Sequence, residues 1–283
     1  MAGPRRRNEG RGEHRRALGK GWAPKVDRTG RAPPRHASGA VAAEWLWGWH
    51  AVTAALGNPR RGPLRRLVAT ADRARQLTAL RPPPPAPEVL GAAEIARLLP
   101  AGAAHQGVAL KPGPLAPAKL ADLAEPAQGV LVMLDQVTDP QNVGAVFRSA
   151  AAFGARGVIL QDRHAPQATG ALAKAAAGAL DALPHARVVN LARTLDELTD
   201  RGWRAVGLSR AAAEPLETVL DARATVLVLG SEGEGLRRLV SEHCDALARI
   251  PMPGGFESLN VSAAAAVALY ETARRFPPPR GRG

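Results

Sequence analysis

At 283 residues the chain is long enough for one substantial core and a smaller companion domain. Its 38 Lys and Arg against 25 Asp and Glu leave a net charge of +13, which favours a polyanionic partner, because each phosphate contact releases condensed counterions. One cysteine excludes an intramolecular disulfide or a thiolate metal cluster, and no apolar run approaches the ~20 residues of a membrane span.

The seven histidines show no paired metal-ligand spacing, so no metal is expected. No signal-peptide apolar region follows Met1, and a cytoplasmic location is expected. Residues 1–40 carry eleven Lys/Arg and three acids, a local charge of +8, among many Gly and Pro. With so few large apolar residues they cannot bury enough surface to offset ordering, and they read as a disordered basic arm over 1–43. Such an arm adds nonspecific RNA affinity. An organelle transit peptide is the alternative, but Ser enrichment and an amphipathic helix are missing.

A small α/β unit follows over 44–111. It opens at Trp45-Leu46-Trp47-Gly48-Trp49 and continues as a helix through Leu56, a strand over 64–69, a helix over 72–80 and a strand over 108–110. The run from Arg81 to Pro85 must be a loop, because proline fixes φ and supplies no donor. Trp45, Trp47 and Trp49 alternate as on a strand, which favours packing over base stacking. A Pro- and Ala-rich linker is expected over 112–129.

From Val130 to residue 276 the pattern becomes strand, then helix, repeatedly. The apolar run Val130–Leu134, ending at Asp135, has the character of a strand buried on both faces. Helices are expected over 141–153, 171–180, 193–200 and 260–274, and strands over 157–160, 187–189, 204–208, 225–229 and 248–250. Alternation of this kind predicts a parallel sheet covered on both faces, with ligands at the carboxyl ends of strands. Pro277-Pro278-Pro279 ends the last helix, leaving 277–283 as a disordered tail.

Three segments stand where strands hand over to turns. In Asp139-Pro140-Gln141-Asn142-Val143-Gly144 through Arg148, Asp139 suits an N-cap and Pro140 the first helical position. Asn142 and Arg148 are not explained that way, and six residues apart they point about 240° from each other on a helix. In Gly230-Ser231-Glu232-Gly233-Glu234-Gly235 the glycine spacing departs from the dinucleotide fingerprint, and there is no P-loop lysine. Its two acids suit a neutral or cationic ligand better than a phosphate. The third, Ile250-Pro251-Met252 through Ser258-Leu259-Asn260-Val261-Ser262, offers a tight glycine loop and helix-capping side chains.

Together, and in this order, the three segments resemble the signatures of the SpoU (TrmH) family of RNA ribose 2′-O-methyltransferases, within the SPOUT superfamily. The resemblance runs from Trp47 to about Arg274. It is nearest to the bacterial 23S rRNA guanosine-2′-O-methyltransferase branch, through Arg237-Arg238-Leu239, Glu242-His243-Cys244-Asp245, His105-Gln106-Gly107 and Gly48-Trp49-His50-Ala51-Val52. Departures are Trp47 in place of the usual Tyr, the loop Gly255-Phe256-Glu257, and the basic arm.

The resemblance implies a parallel-sheet methyltransferase domain with a C-terminal trefoil knot, preceded by a small α/β RNA-binding domain, and a homodimer with its active site at or near the subunit interface. It implies S-adenosyl-L-methionine as cofactor, held by Gly230, Ile250, Met252 and Leu259, and Asn142, Arg148, Glu232, Ser258 and Asn260 as catalytic-site residues. Arg148 is expected to stabilise the developing 2′-oxyanion, since an arginine keeps its charge at neutral pH. Lys174, His105, Arg237 and Arg238 are candidate RNA contacts, against the simpler reading that helical Lys and Arg are solvated and His105 holds a turn. The implied substrate is 23S rRNA. A tRNA substrate, a noncatalytic RNA-binding assembly factor and, least in keeping with the glycine spacing, a nicotinamide oxidoreductase are the competing readings.

Overall fold

The computed structural model describes residues 45–80, 82–168, 170–255 and 257–276. The basic arm expected over 1–43 and the tail expected over 277–283 lie outside the described residues. The described part begins with β1 (Leu46–Trp47), α1 (Trp49–Gly57), β2 (Arg66–Ala69), α2 (Ala71–Thr78), β3 (Glu88–Val89), α3 (Ala92–Arg97) and β4 (Val108–Lys111). These form a four-stranded sheet in the order β1-β4-β2-β3, with only the β2/β3 pair parallel. Trp45 and Trp47 pack with Val68, Ile95, Leu99 and Ala109 beneath this sheet, as their alternation predicts. Trp49 lies half-exposed, with the Arg73 guanidinium 4.7 Å from its ring centroid.

The segment expected to be a linker contains α4 (Leu120–Ala124), and Leu123 and Ala124 are buried in a core cluster with Leu131, Met133 and Ile159. Leu120, one turn before Leu123, packs against the same cluster, and these apolar side chains dock the segment despite the proline content around it.

The chain continues with β5 (Val130–Leu134), α5 (Pro140–Ala152), β6 (Gly157–Gln161), α6 (Gly170–Ala176), α7 (Ala179–Ala182), β7 (His185–Val188) and α8 (Leu191–Asp200). It continues through β8 (Arg204–Leu208), α9 (Leu216–Val219), β9 (Thr225–Leu229), α10 (Arg238–Glu242), β10 (Ala246–Ala248) and α11 (Val261–Arg275). The sheet is six-stranded and parallel throughout, in the order β10-β8-β9-β5-β6-β7. In β5, Val132 and Leu134 join one core cluster while Leu131 and Met133 join the other, so both faces are covered. That is why the strand reads as an unbroken apolar run.

The helix expected over 171–180 is broken. Ala177 (φ 49°) and Gly178 (φ 94°) turn the chain between α6 and α7, and a Cβ on Gly178 would meet the His50 carbonyl oxygen at 2.9 Å. The break lets α1 approach closely. At the same junction Asp181 accepts from Arg61 Nε (2.7 Å) and Nη2 (2.8 Å) and from Asn58 Nδ2 (2.9 Å), with the carboxylate only 1% exposed. The final strand lies two residues before its expected place, at Ala246–Ala248, because Arg249 instead bridges Pro215.

Candidate active site

The carboxyl ends of β8, β9 and β10 surround a cavity of about 540 Å³, within the ordinary range for a small-molecule site. It lies beside β5, from which the chain winds first toward β6 and β7 and later returns to β8 and β9. Such a reversal in strand order opens a crevice at strand ends.

One wall is the turn from Gly230 to Leu236. Gly235 N donates to Ser231 O (3.0 Å), and Gly233 and Gly235 both take positive φ. A Cβ on Gly230 would lie 2.0 Å from the Gly235 carbonyl, so the turn closes only with glycine there. Its far end is tied down by Asp135, a fully buried carboxylate at the end of β5. Asp135 accepts from Arg237 N (2.9 Å) and Arg237 Nε (2.7 Å), while Arg237 Nη2 donates to Gln161 Oε1 (3.2 Å).

The cavity's lip carries a hydrogen-bonded cluster. Glu232 Oε1 accepts from Asn142 Nδ2 (2.8 Å) and Asn260 Nδ2 (2.5 Å), and Asn260 Nδ2 also lies 3.0 Å from Asn142 Oδ1. Asn260 Oδ1 meanwhile caps α11 by accepting from Ser262 N (2.8 Å) and Ser262 Oγ (2.6 Å). The cap sets the amide's orientation, so capping and clustering are two uses of one side chain. Asn142 reaches the cluster from the first turn of α5, whose N-cap Asp139 accepts from Gln141 N (3.1 Å).

Gly230, Ile250, Met252 and Leu259 all line the cavity, with Glu232, Ser258 and Asn260. Arg148 does not. It lies further along α5, exposed, with no hydrogen bond or ion pair among the described residues. All four candidate RNA contacts have intramolecular partners. His105 Nδ1 accepts from Gly107 N (3.1 Å), Lys174 Nζ donates to Ala104 O (3.2 Å), and Arg237 holds Asp135. Arg238 remains largely exposed in an i,i+4 pair with Glu242 (2.8 Å).

The sequence reading passed over Asp135, although a carboxylate closing a fully apolar strand was a visible signal. It also passed over the Ser209-Arg210-Ala211 turn, whose residues carry no motif, yet all three line the cavity. Cys244 is unfit as a nucleophile: burial, assisted by the Asp245 and Asp135 charges, pushes its thiol up to about 12. Among the described residues no cluster of His, Cys, Asp and Glu can hold a metal, and no helix is long and apolar enough to cross a membrane.

The parallel α/β sheet thus carries, at its strand ends, a cavity walled by a carboxylate-bearing glycine turn beside a polar cluster. The chain belongs to the SpoU rRNA Methylase family, whose model matches residues 129–270. An uncharacterized tRNA/rRNA methyltransferase of Mycobacterium avium is 44% identical over 175 residues, covering 60% of this chain and 57% of that one. A relative of the same description from Mycobacterium tuberculosis is 43% identical over 180 residues, covering 62% and 56%. The chain thus spans little more than half the length of the curated relatives it matches. Among solved structures, the SpoU methyltransferase AviRb from Streptomyces viridochromogenes, in complex with the cofactor AdoMet, has a TM-score of 0.67 at 25% identity, covering 86% of this chain and 94% of that one. An AdoMet-bound rRNA methyltransferase from Sinorhizobium meliloti has a TM-score of 0.67 at 25% identity, covering 84% and 90%.

Proposed function

We propose that the protein transfers the methyl group of S-adenosylmethionine to the ribose 2′-hydroxyl of a guanosine in 23S rRNA, as a homodimer in the cytoplasm. The observation that carries this reading is the Asn142–Glu232–Asn260 cluster at the lip of the cavity. The cavity suits the cofactor: its glycine turn brings backbone close, two carboxylates favour a cation, and Ile250, Met252 and Leu259 offer apolar surface. Gly230, Ile250, Met252 and Leu259 would hold it, and when bound it supplies an electrophilic methyl on a sulfonium, already a good leaving group.

The chain's own task is then to position the hydroxyl and ease its deprotonation. Glu232 receives two amide donors, which keeps its carboxylate ordered at the lip, and Asn142 and Asn260 orient the incoming nucleotide with it. Arg148 stabilises the developing oxyanion. Its exposure outside the cavity supports a dimer in which α5 faces a second copy, as do the exposed Val267 (41%) and Tyr270 (54%) on α11. The same reading includes the trefoil knot. Its support is that the chain, after β10 at the sheet edge, returns through α11 to pack on α5 near the sheet's middle.

The test is transfer of labelled methyl from S-adenosylmethionine to separate pools of unmodified 23S rRNA, 16S rRNA and tRNA, with digestion to nucleosides. Label in 2′-O-methylguanosine from 23S rRNA alone is expected. Label in tRNA would keep the chemistry and replace the substrate. Cofactor binding without label in any pool would point to an assembling particle as substrate, and failure to bind the cofactor would overturn the reading in favour of a noncatalytic RNA-binding role.

A further inference from the structure

Next to the cofactor-sized cavity lies a second, more open one of about 520 Å³, lined by Arg210, Arg249, Ile250, Met252 and Glu257. Arg210, Ile250 and Met252 line both, so the two spaces share a wall. The two arginines differ in kind. Arg249 is fixed: its Nη1 donates to the carbonyls of Ala212 (3.3 Å) and Ala213, its amide donates to Glu214 O (2.9 Å), and its carbonyl accepts from Leu216 N (2.8 Å). Nε and Nη2 of Arg249 have no partner among the described residues. It thereby fastens the turn that carries Arg210, which Ser209 N also ties to Ala248 O (2.9 Å). Arg210 itself is exposed and makes no hydrogen bond or ion pair among the described residues.

A guanidinium with all five donors free, beside a second one with donors to spare, is matched to a tetrahedral or planar anion. Glu257 is the one acid lining this space, so the local balance is one net positive charge, which suits a monoanion better than a phosphate dianion. We infer that this second cavity, through Arg210 and Arg249, holds a backbone phosphodiester of the RNA beside the methylated nucleotide, while the shared Ile250–Met252 wall keeps that strand against the cofactor. This deepens the RNA-methyltransferase reading and rests on it. The other source of a monoanion within reach is the cofactor's own carboxylate, since Arg210 borders both spaces.

The test uses the full chain as Arg210→Ala and Arg210→Gln, neither of which removes an internal hydrogen bond, with far-UV circular dichroism to verify folding. Filter binding of a labelled, unmodified 23S rRNA transcript is measured across salt concentrations, and S-adenosylmethionine binding is measured separately by calorimetry. Both variants should bind the transcript roughly tenfold more weakly, with a salt slope shallower by about 1, while cofactor affinity stays within about twofold. Lost cofactor affinity with unchanged RNA binding would assign Arg210 to the cofactor carboxylate and overturn the inference, as would no change in either. If the wild-type chain itself failed to bind S-adenosylmethionine, the methyltransferase reading would fall, while the RNA-binding arm would still report on Arg210.

Discussion

Asn260 carries two jobs on one amide, and a substitution can separate them. Serine is as good an N-cap as asparagine, because its hydroxyl also accepts from a backbone amide in the first turn. It is too short to reach Glu232 Oε1, which Asn260 Nδ2 contacts at 2.5 Å. Asn260→Ser should therefore keep the unfolding free energy within about 0.5 kcal/mol while lowering methyl transfer about 100-fold, the scale of losing one preorganised polar group. Unchanged methyl transfer per folded molecule would return Asn260 to a cap and nothing more. The adjacent arginines after the glycine turn offer a second contrast. Arg237 neutralises a carboxylate with no exposure, whereas the Arg238 side chain is 84% exposed in its pair with Glu242. Removing Arg237 strands a buried charge, so Arg237→Ala should cost about 3 kcal/mol in urea unfolding and weaken cofactor binding by loosening the turn. Arg238→Ala should cost under about 0.5 kcal/mol. A matched pair of stabilities would sink this account of Asp135.

At the scale of elements, what could be read from the sequence was what period and punctuation encode. The strands β5, β8 and β9 stand at their expected bounds, because short, mostly apolar runs between turns admit few other readings in an alternating chain. The α5 start was equally legible, since Asp139-Pro140 marks a helix N-terminus by local chemistry alone. Elements set by tertiary contact were not. Gly178 is the only local mark that separates α6 from α7 in an Ala-rich stretch, too weak alone to fix a break; α1 crosses there, and Gly178 is the residue that permits it. Gly178→Ala puts a Cβ into a φ of 94° and 2.9 Å from the His50 carbonyl oxygen. It should destabilise the fold by more than about 1 kcal/mol, whereas the same change in a helix interior would stabilise it. A thermal melt distinguishes the two signs. The candidate site divides the same way: the motifs disclosed Asn142, Glu232 and Asn260, but their mutual hydrogen bonds span up to 118 positions and belong to the fold.

At the scale of the whole molecule, the junction between the four-stranded and six-stranded sheets makes stability depend on pH in a particular direction. His185 on β7 is 2% exposed, lies edge-on to Phe147 with centroids 5.8 Å apart, and has a buried Nδ1 with no hydrogen-bond partner among the described residues. Burial lowers its pKa to about 4, and the positive charges of Arg187, Arg60 and Arg61 add to this, against a smaller opposing pull from Asp181. Two of those charges, Arg61 and Asp181, form the buried ion pair at that junction. In the unfolded chain the imidazole returns to about 6.5. Between those values the unfolded state binds more protons than the native one, so stability is intact above about 6.5 and is lost as pH falls toward 4. From pH 7 to pH 5 this single group should remove about 2 kcal/mol. Carboxylates such as Asp221 and Glu271, held below their ordinary range mainly by hydrogen bonds to Arg223 and Arg274, also lose stability in acid, but below this window. His185→Leu separates the contributions, because it removes the titration and the orphaned nitrogen together while leaving a side chain of similar size. Urea unfolding at pH 7 and pH 5 should show a loss smaller by about 2 kcal/mol in the variant than in the wild type. The same loss in both would mean that His185 titrates in the folded protein as freely as in the unfolded one, and that the junction tolerates its charge.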